Sequence, residues 1–225
     1  MAAPAGERTE TLALLYQEVL TGIVRLRANR HGISDAGAFR YQMHGAINTA
    51  ASQALAAAYP SDDVKLATFA VVAFLDESVL NSQNPIFADW LRKPLQEELF
   101  GTHIAGELFY RYLQQILGRN DSPDVADLLE VYYLCLLLGF GGRYSGGGRG
   151  ELTQTIAVTG DKISRIRGRS LQISPAWNLT NETAPTRRDR WVRLTGLAAA
   201  ICAALALVLF VLFKISLSSG LRIGA

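Results

Sequence analysis

Cysteine is nearly missing: the 225 residues hold two, Cys135 and Cys202. Two distant thiols cannot build a disulfide framework or a zinc cluster, and both sit in apolar runs as small fillers. Histidine is almost as scarce. None of His31, His44 and His103 has a glutamate three residues before it, so the Glu-x-x-His repeats of a di-iron bundle are lacking. Gly-x-Ser-x-Gly and other nucleophile signatures do not occur. The glycine-rich stretch GFGGRYSGGGRG at 139–150 lacks the Gly-Lys-Ser/Thr ending of a phosphate loop, and no lysine lies between Lys93 and Lys162. It follows a helical pattern, not a strand, and reads as a helix C-cap with a connector. The opening MAAPAGERTE has no apolar h-region, so no signal peptide is expected. No segment alternates with period two, and no internal repeat is visible. Catalysis, cofactor and metal are therefore all expected to be absent.

Charge is present but unevenly placed. Residues 1–161 carry 12 Lys/Arg against 18 Asp/Glu, a net of −6, while 162–193 carry 8 against 2, a net of +6. An acidic body on a basic neck argues against nucleic-acid binding, which favours basic residues on the folded body.

The stretch LTGLAAAICAALALVLFVLF, Leu194–Phe213, has no charge over twenty residues. As a helix it is long enough to cross a hydrocarbon core of about 30 Å. Trp191 lies at its edge, where an interfacial aromatic is expected. Arg187, Arg188, Arg190 and Arg193 precede it, against Lys214 and Arg222 after it. The positive-inside bias keeps the preceding domain cytoplasmic, which makes the chain tail-anchored. The expected organisation is a helical domain at 1–170, a basic polar linker at 171–190, a transmembrane helix at 191–214 and a short periplasmic tail at 215–225. Gly196, Ala200 and Ala204 form a stripe of small side chains through which the span could pair with itself, giving a homodimer, or with a partner's span.

Apolar spacing predicts helices over 10–28 and 36–58, then one opening at Ser61 as N-cap with Asp62 and Asp63 in its first turn. Further helices are predicted around Trp90–Phe100, restarting at Pro94, over Ala105–Leu117, and from Ser122-Pro123-Asp124 to near Gly139. The fold class is all-α, with about six to eight helices.

Within the third helix, FAVVAFLDESVLNS sets two carboxylates, Asp76 and Glu77, in an apolar run. Asp76 shares a stripe with Phe69, Ala73 and Leu80, and Glu77 with Ala70, Phe74 and Asn81. Each acid then needs a donor, a raised pKa or a wet cleft. Adjacent helical residues diverge by roughly 100°, so they cannot easily converge on one atom as an acid–base pair. Two roles stay open: a cleft that contacts a partner, or one acid capping a neighbouring helix with the other in an internal ion pair.

Four ordered motifs carry a family resemblance: FLDESVLNS with Trp90, LFGTHIAGELFYRYL (99–113), YLCLLLGFGGRY (133–144) and LQISPAWN (171–178), followed by the C-terminal span. The chain resembles the DotU/TssL family over about residues 10–215. The resemblance implies an inner-membrane component of a type VI secretion system, or of the related type IVB system. It implies an IcmF-like (TssM) partner, baseplate docking, and two small three-helix bundles with a cleft holding Asp76 and Glu77. Two features depart from the family pattern. Some relatives carry a peptidoglycan-binding domain after the span, for which 215–225 is too short, and 141–150 is richer in glycine. A membrane-tethered enzyme using Asp76 and Glu77, and a generic tail-anchored adaptor, are the rival readings.

Overall fold

The computed structural model describes residues 10–28 and 33–168; the linker, the apolar stretch with Gly196, Ala200 and Ala204, and the tail lie outside the described residues. In chain order the helices are α1 (Leu12–Leu15), α2 (Gln17–Arg27), α3 (Ala36–Ala56), α4 (Ser61–Ser82), α5 (Ala88–Arg92), α6 (Leu95–Phe100), α7 (Ala105–Leu117), α8 (Pro123–Leu137) and α9 (Arg149–Arg167). Single 3₁₀ turns at Pro85–Phe87 and Gly142–Tyr144 join some of them. Among the described residues there is no strand.

Short polar side chains and prolines set the helix starts. The Asp35 carboxylate accepts the Ala38 N–H at the head of α3, and Ser122 does the same for Val125 at the head of α8, with Pro123 in the first position. Helix α4 starts one residue earlier than the capping pattern predicts: Pro60 is the cap and Ser61 already helical. The first predicted helix is broken at Tyr16, between α1 and α2. Tyr16 turns inward there, and its hydroxyl meets Thr68 Oγ1 at 2.6 Å. Helix α9 has no counterpart in the sequence reading. Its composition is polar, and Leu152, Ile156, Ile163 and Ile166 are the apolar residues that pack it on the core.

Helix α4 is the spine. Its FAVVAFL segment is apolar on every side, so it must be covered all round. It packs against α2, α3, α5, α6, α7 and α8. Helix α8 is the second central element, touching α1, α4, α7 and α9. Residues Pro123–Tyr144 would pass as a membrane span by length and composition, yet half of their most apolar 18-residue window is buried inside this domain. Tyr132 shows why it stays there: its hydroxyl donates to the Leu66 carbonyl of α4 at 3.1 Å, and Phe109 of α7 lies 4.7 Å from its ring.

Helix α9 is fastened by basic side chains. Buried Lys162 donates to the Leu117 and Arg119 carbonyls at 2.7 and 2.6 Å, satisfying acceptors left open at the end of α7. Arg165 forks onto Asp121, and Arg167 onto Glu130 while also reaching Asp127.

Candidate functional site

The two acids of α4 point into different parts of the molecule, as their angular separation requires. Asp76 is 5% exposed. Its Oδ1 accepts the Trp90 indole N–H at 2.8 Å and the Leu95 N–H at 3.1 Å, and its Oδ2 accepts the Gln96 N–H at 2.7 Å. Leu95 and Gln96 are the first two residues of α6, whose own cap position is Pro94 and offers no side-chain acceptor. Asp76 is thus the N-cap of α6, supplied from another helix, and its negative charge suits the helix N-terminus. Burial pushes its pKa above the usual carboxylate value, while the three N–H donors and Arg40 pull against that rise.

Arg40 of α3 closes the other side of this cluster. Its guanidinium lies 5.0 Å over the Trp90 ring, and its Nη2 donates to Glu98 at 2.8 Å. That hydrogen bond holds Glu98 below the ordinary glutamate value.

Glu77 turns to the segment after α8. Its two oxygens take the consecutive N–H groups of Gly141 and Gly142 at 2.9 and 2.6 Å. Two adjacent amides aimed at one carboxylate form a small anion nest. Gly142 has φ +51°, and a Cβ there would stand 2.9 Å from the Gly106 carbonyl oxygen and 3.0 Å from the Phe140 and Tyr110 rings. Only glycine fits this approach. The Tyr110 hydroxyl donates to the Gly141 carbonyl at 2.8 Å from the opposite side. Burial first, and then the Glu77 charge, pushes the Tyr110 phenol above its usual range.

Between these two attachments lies a cleft of about 380 Å³, and both acids line it. One wall is α4, another is Trp90 to Gln96, and the third is the head of α7 with Phe140, Gly142 and Ser145. The rim carries exposed apolar side chains beside exposed Asn81, His103 and Ser145: Leu80 is 58% exposed, Leu91 43%, and Ile104, between lining residues His103 and Ala105, 56%. Of the two roles left open by the sequence, the structure gives Asp76 the capping geometry. Glu77 bonds to backbone amides, not to the ion-pair partner that the second of those roles would give it, and both acids line the cleft. Every oxygen of the pair accepts at least one N–H, so both carboxylates are held in fixed positions. Among the described residues no three His, Cys, Asp or Glu side chains gather as a metal site.

Sequence reasoning missed the partners of both acids, and Lys162 with α9. The Phe-Gly-Gly after α8 was the available signal for the Glu77 contact, since consecutive glycines let a backbone approach a side chain closely.

Comparison with known proteins decides the family. A profile described as "Type VI secretion system protein DotU" matches residues 11–216. The chain belongs to the DotU family. The cytoplasmic domain of TssL from Acinetobacter baumannii is 30% identical with a TM-score of 0.65, covering 70% of this chain and 99% of that one. TssL from Vibrio cholerae (21% identity, TM-score 0.58, 70% and 99% covered) and SciP/TssL from enteroaggregative Escherichia coli 042 (24%, 0.55, 63% and 83%) share the fold. No curated protein matches the chain. The DotU profile starts at α1 and continues past α9 through the whole apolar stretch 194–213.

Proposed function

We propose that this DotU protein is a non-enzymatic scaffold of a type VI secretion membrane complex, tail-anchored in the bacterial inner membrane with its helical domain in the cytoplasm. It pairs there with an IcmF-like (TssM) protein and docks the baseplate. The observation that carries this reading is the extent of the family match, which spans both the helical domain and the apolar stretch. The basic residues ahead of the span support the orientation, and the small-residue stripe Gly196, Ala200, Ala204 supports association within the membrane.

The cleft is the partner-binding surface in this reading, and Asp76 and Glu77 act by setting the positions of its walls. Contact itself falls to the exposed rim of Leu80, Leu91 and Ile104, since a partner side chain that covers them removes apolar surface from water. The test is a pull-down from detergent-solubilised membranes of a host that carries the secretion system. The native chain is expected to bring down an IcmF-like protein and baseplate subunits. Leu80→Asp with Ile104→Asp, both at exposed positions, should lose at least one cytoplasmic partner at unchanged melting temperature. Full retention of every partner by that variant would remove the cleft from the proposal, and absence of all secretion components from the native pull-down would remove the function.

A further inference from the structure

The cleft wall that runs through Phe140, Gly142 and Ser145 belongs to the connector after α8. Glycine occupies positions 139, 141 and 142 of that connector, so its backbone is costly to order and its place depends on what holds it. Buried Phe140 anchors it in the core, Glu77 takes the Gly141 and Gly142 amides, and Tyr110 donates to the Gly141 carbonyl. A fourth contact comes from outside the cleft.

Arg27, the last residue of α2, donates from Nη2 to the Gly139 carbonyl at 3.2 Å. Gly139 has φ +102°, and a Cβ on it would stand 2.8 Å from the same nitrogen, so the guanidinium lies against bare backbone. It sits just past the C-terminal end of α8, where a cation suits the helix dipole. Nη1 reaches Ser78 Oγ of α4 at a longer 3.4 Å. The guanidinium carbon is 5.5 Å from the centre of the Phe74 ring, and Phe74 meets the Phe140 ring edge-on at 6.1 Å. Arg40, Arg119, Arg165 and Arg167 each hold a carboxylate. Among the described residues Arg27 donates to neutral oxygens instead. Its charge is committed to the end of α8, not to an ion pair.

We propose that Arg27 is a positioning residue of the cleft: it fixes where α8 ends, and through Gly139 and Phe140 it sets the wall that carries Gly142 and Ser145. The inference rests on the reading of the cleft as the partner-binding surface. Arg27 does not line the cleft. It lines a separate cavity of about 510 Å³ together with Ser78, Asn81, Ser82 and Asn84, and Asn81 of α4 lines both. The wall is thus held from a side that a partner in the cleft does not fill, and changing Arg27 removes no contact with that partner. Without the hold on Gly139, the two amides gripped by Glu77 open more often.

The test is amide exchange by mass spectrometry on the full chain in detergent, with pull-downs from the same membranes. Arg27→Met keeps the length of the side chain and its packing on Phe74, and removes the donors and the charge. Exchange over 139–145 should then quicken by about fivefold or more, with α4 unchanged. Arg27→Lys keeps a cation and a donor for Gly139, and should stay within about twofold of the native rate. Ser78→Ala removes the other acceptor of the guanidinium and should also leave the native rate. In the pull-down, Arg27→Met should lose the same cytoplasmic partner as Leu80→Asp with Ile104→Asp, and Ser78→Ala should retain it. A native exchange rate in Arg27→Met, or equal acceleration in Arg27→Lys or Ser78→Ala, would overturn the proposal. So would retention by Arg27→Met of a partner that the rim variant loses. If both variants keep every partner, the cleft reading fails instead, and the exchange rates alone decide whether Arg27 holds the wall.

Discussion

At the scale of single residues, the chemistry of the acidic pair is set by what each carboxylate accepts. Asp76 holds two backbone amides and an indole N–H in a site with almost no solvent. Asp76→Ala leaves those donors unpaired and should cost about 2–4 kcal/mol in urea unfolding. Asp76→Asn, which resembles the neutral acid, should cost less. The pKa of Asp76 is raised in the folded protein. Its stabilising contribution is thus complete below the unfolded carboxylate value and falls as pH rises through the folded one. The stability gap between the native chain and Asp76→Asn should therefore narrow as pH rises above the ordinary carboxylate value. Gly142→Ala should cost about 2 kcal/mol, because alanine resists a positive φ and its methyl meets the Gly106 carbonyl. Equal stability of Gly142→Ala and the native chain in the same denaturation assay would contradict the packing described around Glu77.

At the scale of elements, the sequence disclosed α4 fully and α9 hardly at all, for a physical reason. A helix buried on all sides writes its burial into an unbroken apolar run, and the two acids inside it announced that donors must exist. It could not say which donors, because Trp90 lies 14 residues away and Gly142 lies 65. Helix α9 depends on polar contacts whose partners, Asp121, Asp127 and Glu130, are equally remote. Lys162→Met removes the donor from the end of α7. Amide exchange in the second half of α9 should then quicken by about 10- to 100-fold, with α4 unaffected. Acid should act in the same direction. The Arg165 hydrogen bond lowers the Asp121 pKa below its usual 3.8. Its contribution is present above that value and is lost as pH falls through the lowered one, so α9 should loosen before the core does. Because this pair is exposed, the effect is small. An α9 exchange rate insensitive to Lys162→Met would show that its apolar residues alone hold it.

At the scale of the whole molecule, the acidic body and basic neck make orientation the property to measure. A cysteine at Ser218 should react with a membrane-impermeant thiol reagent in intact spheroplasts, and one at Gly146 should not. The reverse pattern would put the helical domain on the wrong side for baseplate docking. The all-α class, the acids and the ordered motifs were legible because each is written locally, in periodicity or in contiguous residues. The acids raised a cleft as one of two roles, but its walls were not legible in the residues, since they come from segments between residues 73 and 145 that the chain alone does not juxtapose.

The apolarity of α8 carries a consequence for how the protein is made. Insertion machinery reads hydrophobicity as the chain emerges, and Pro123–Tyr144 is apolar enough to compete for that reading, though less strongly than the uncharged Leu194–Phe213 because it carries Asp124, Asp127, Glu130 and Arg143. Of the helices that cover α8, three (α1, α4 and α7) precede it in the chain and α9 follows. Synthesis thus delivers most of its shelter before α8 itself leaves the ribosome, and domains fold from the N-terminus as they appear. The order of the helices along the chain therefore guards against threading the wrong segment into the bilayer, and a lesion in the early helices would surface as misinsertion as well as instability.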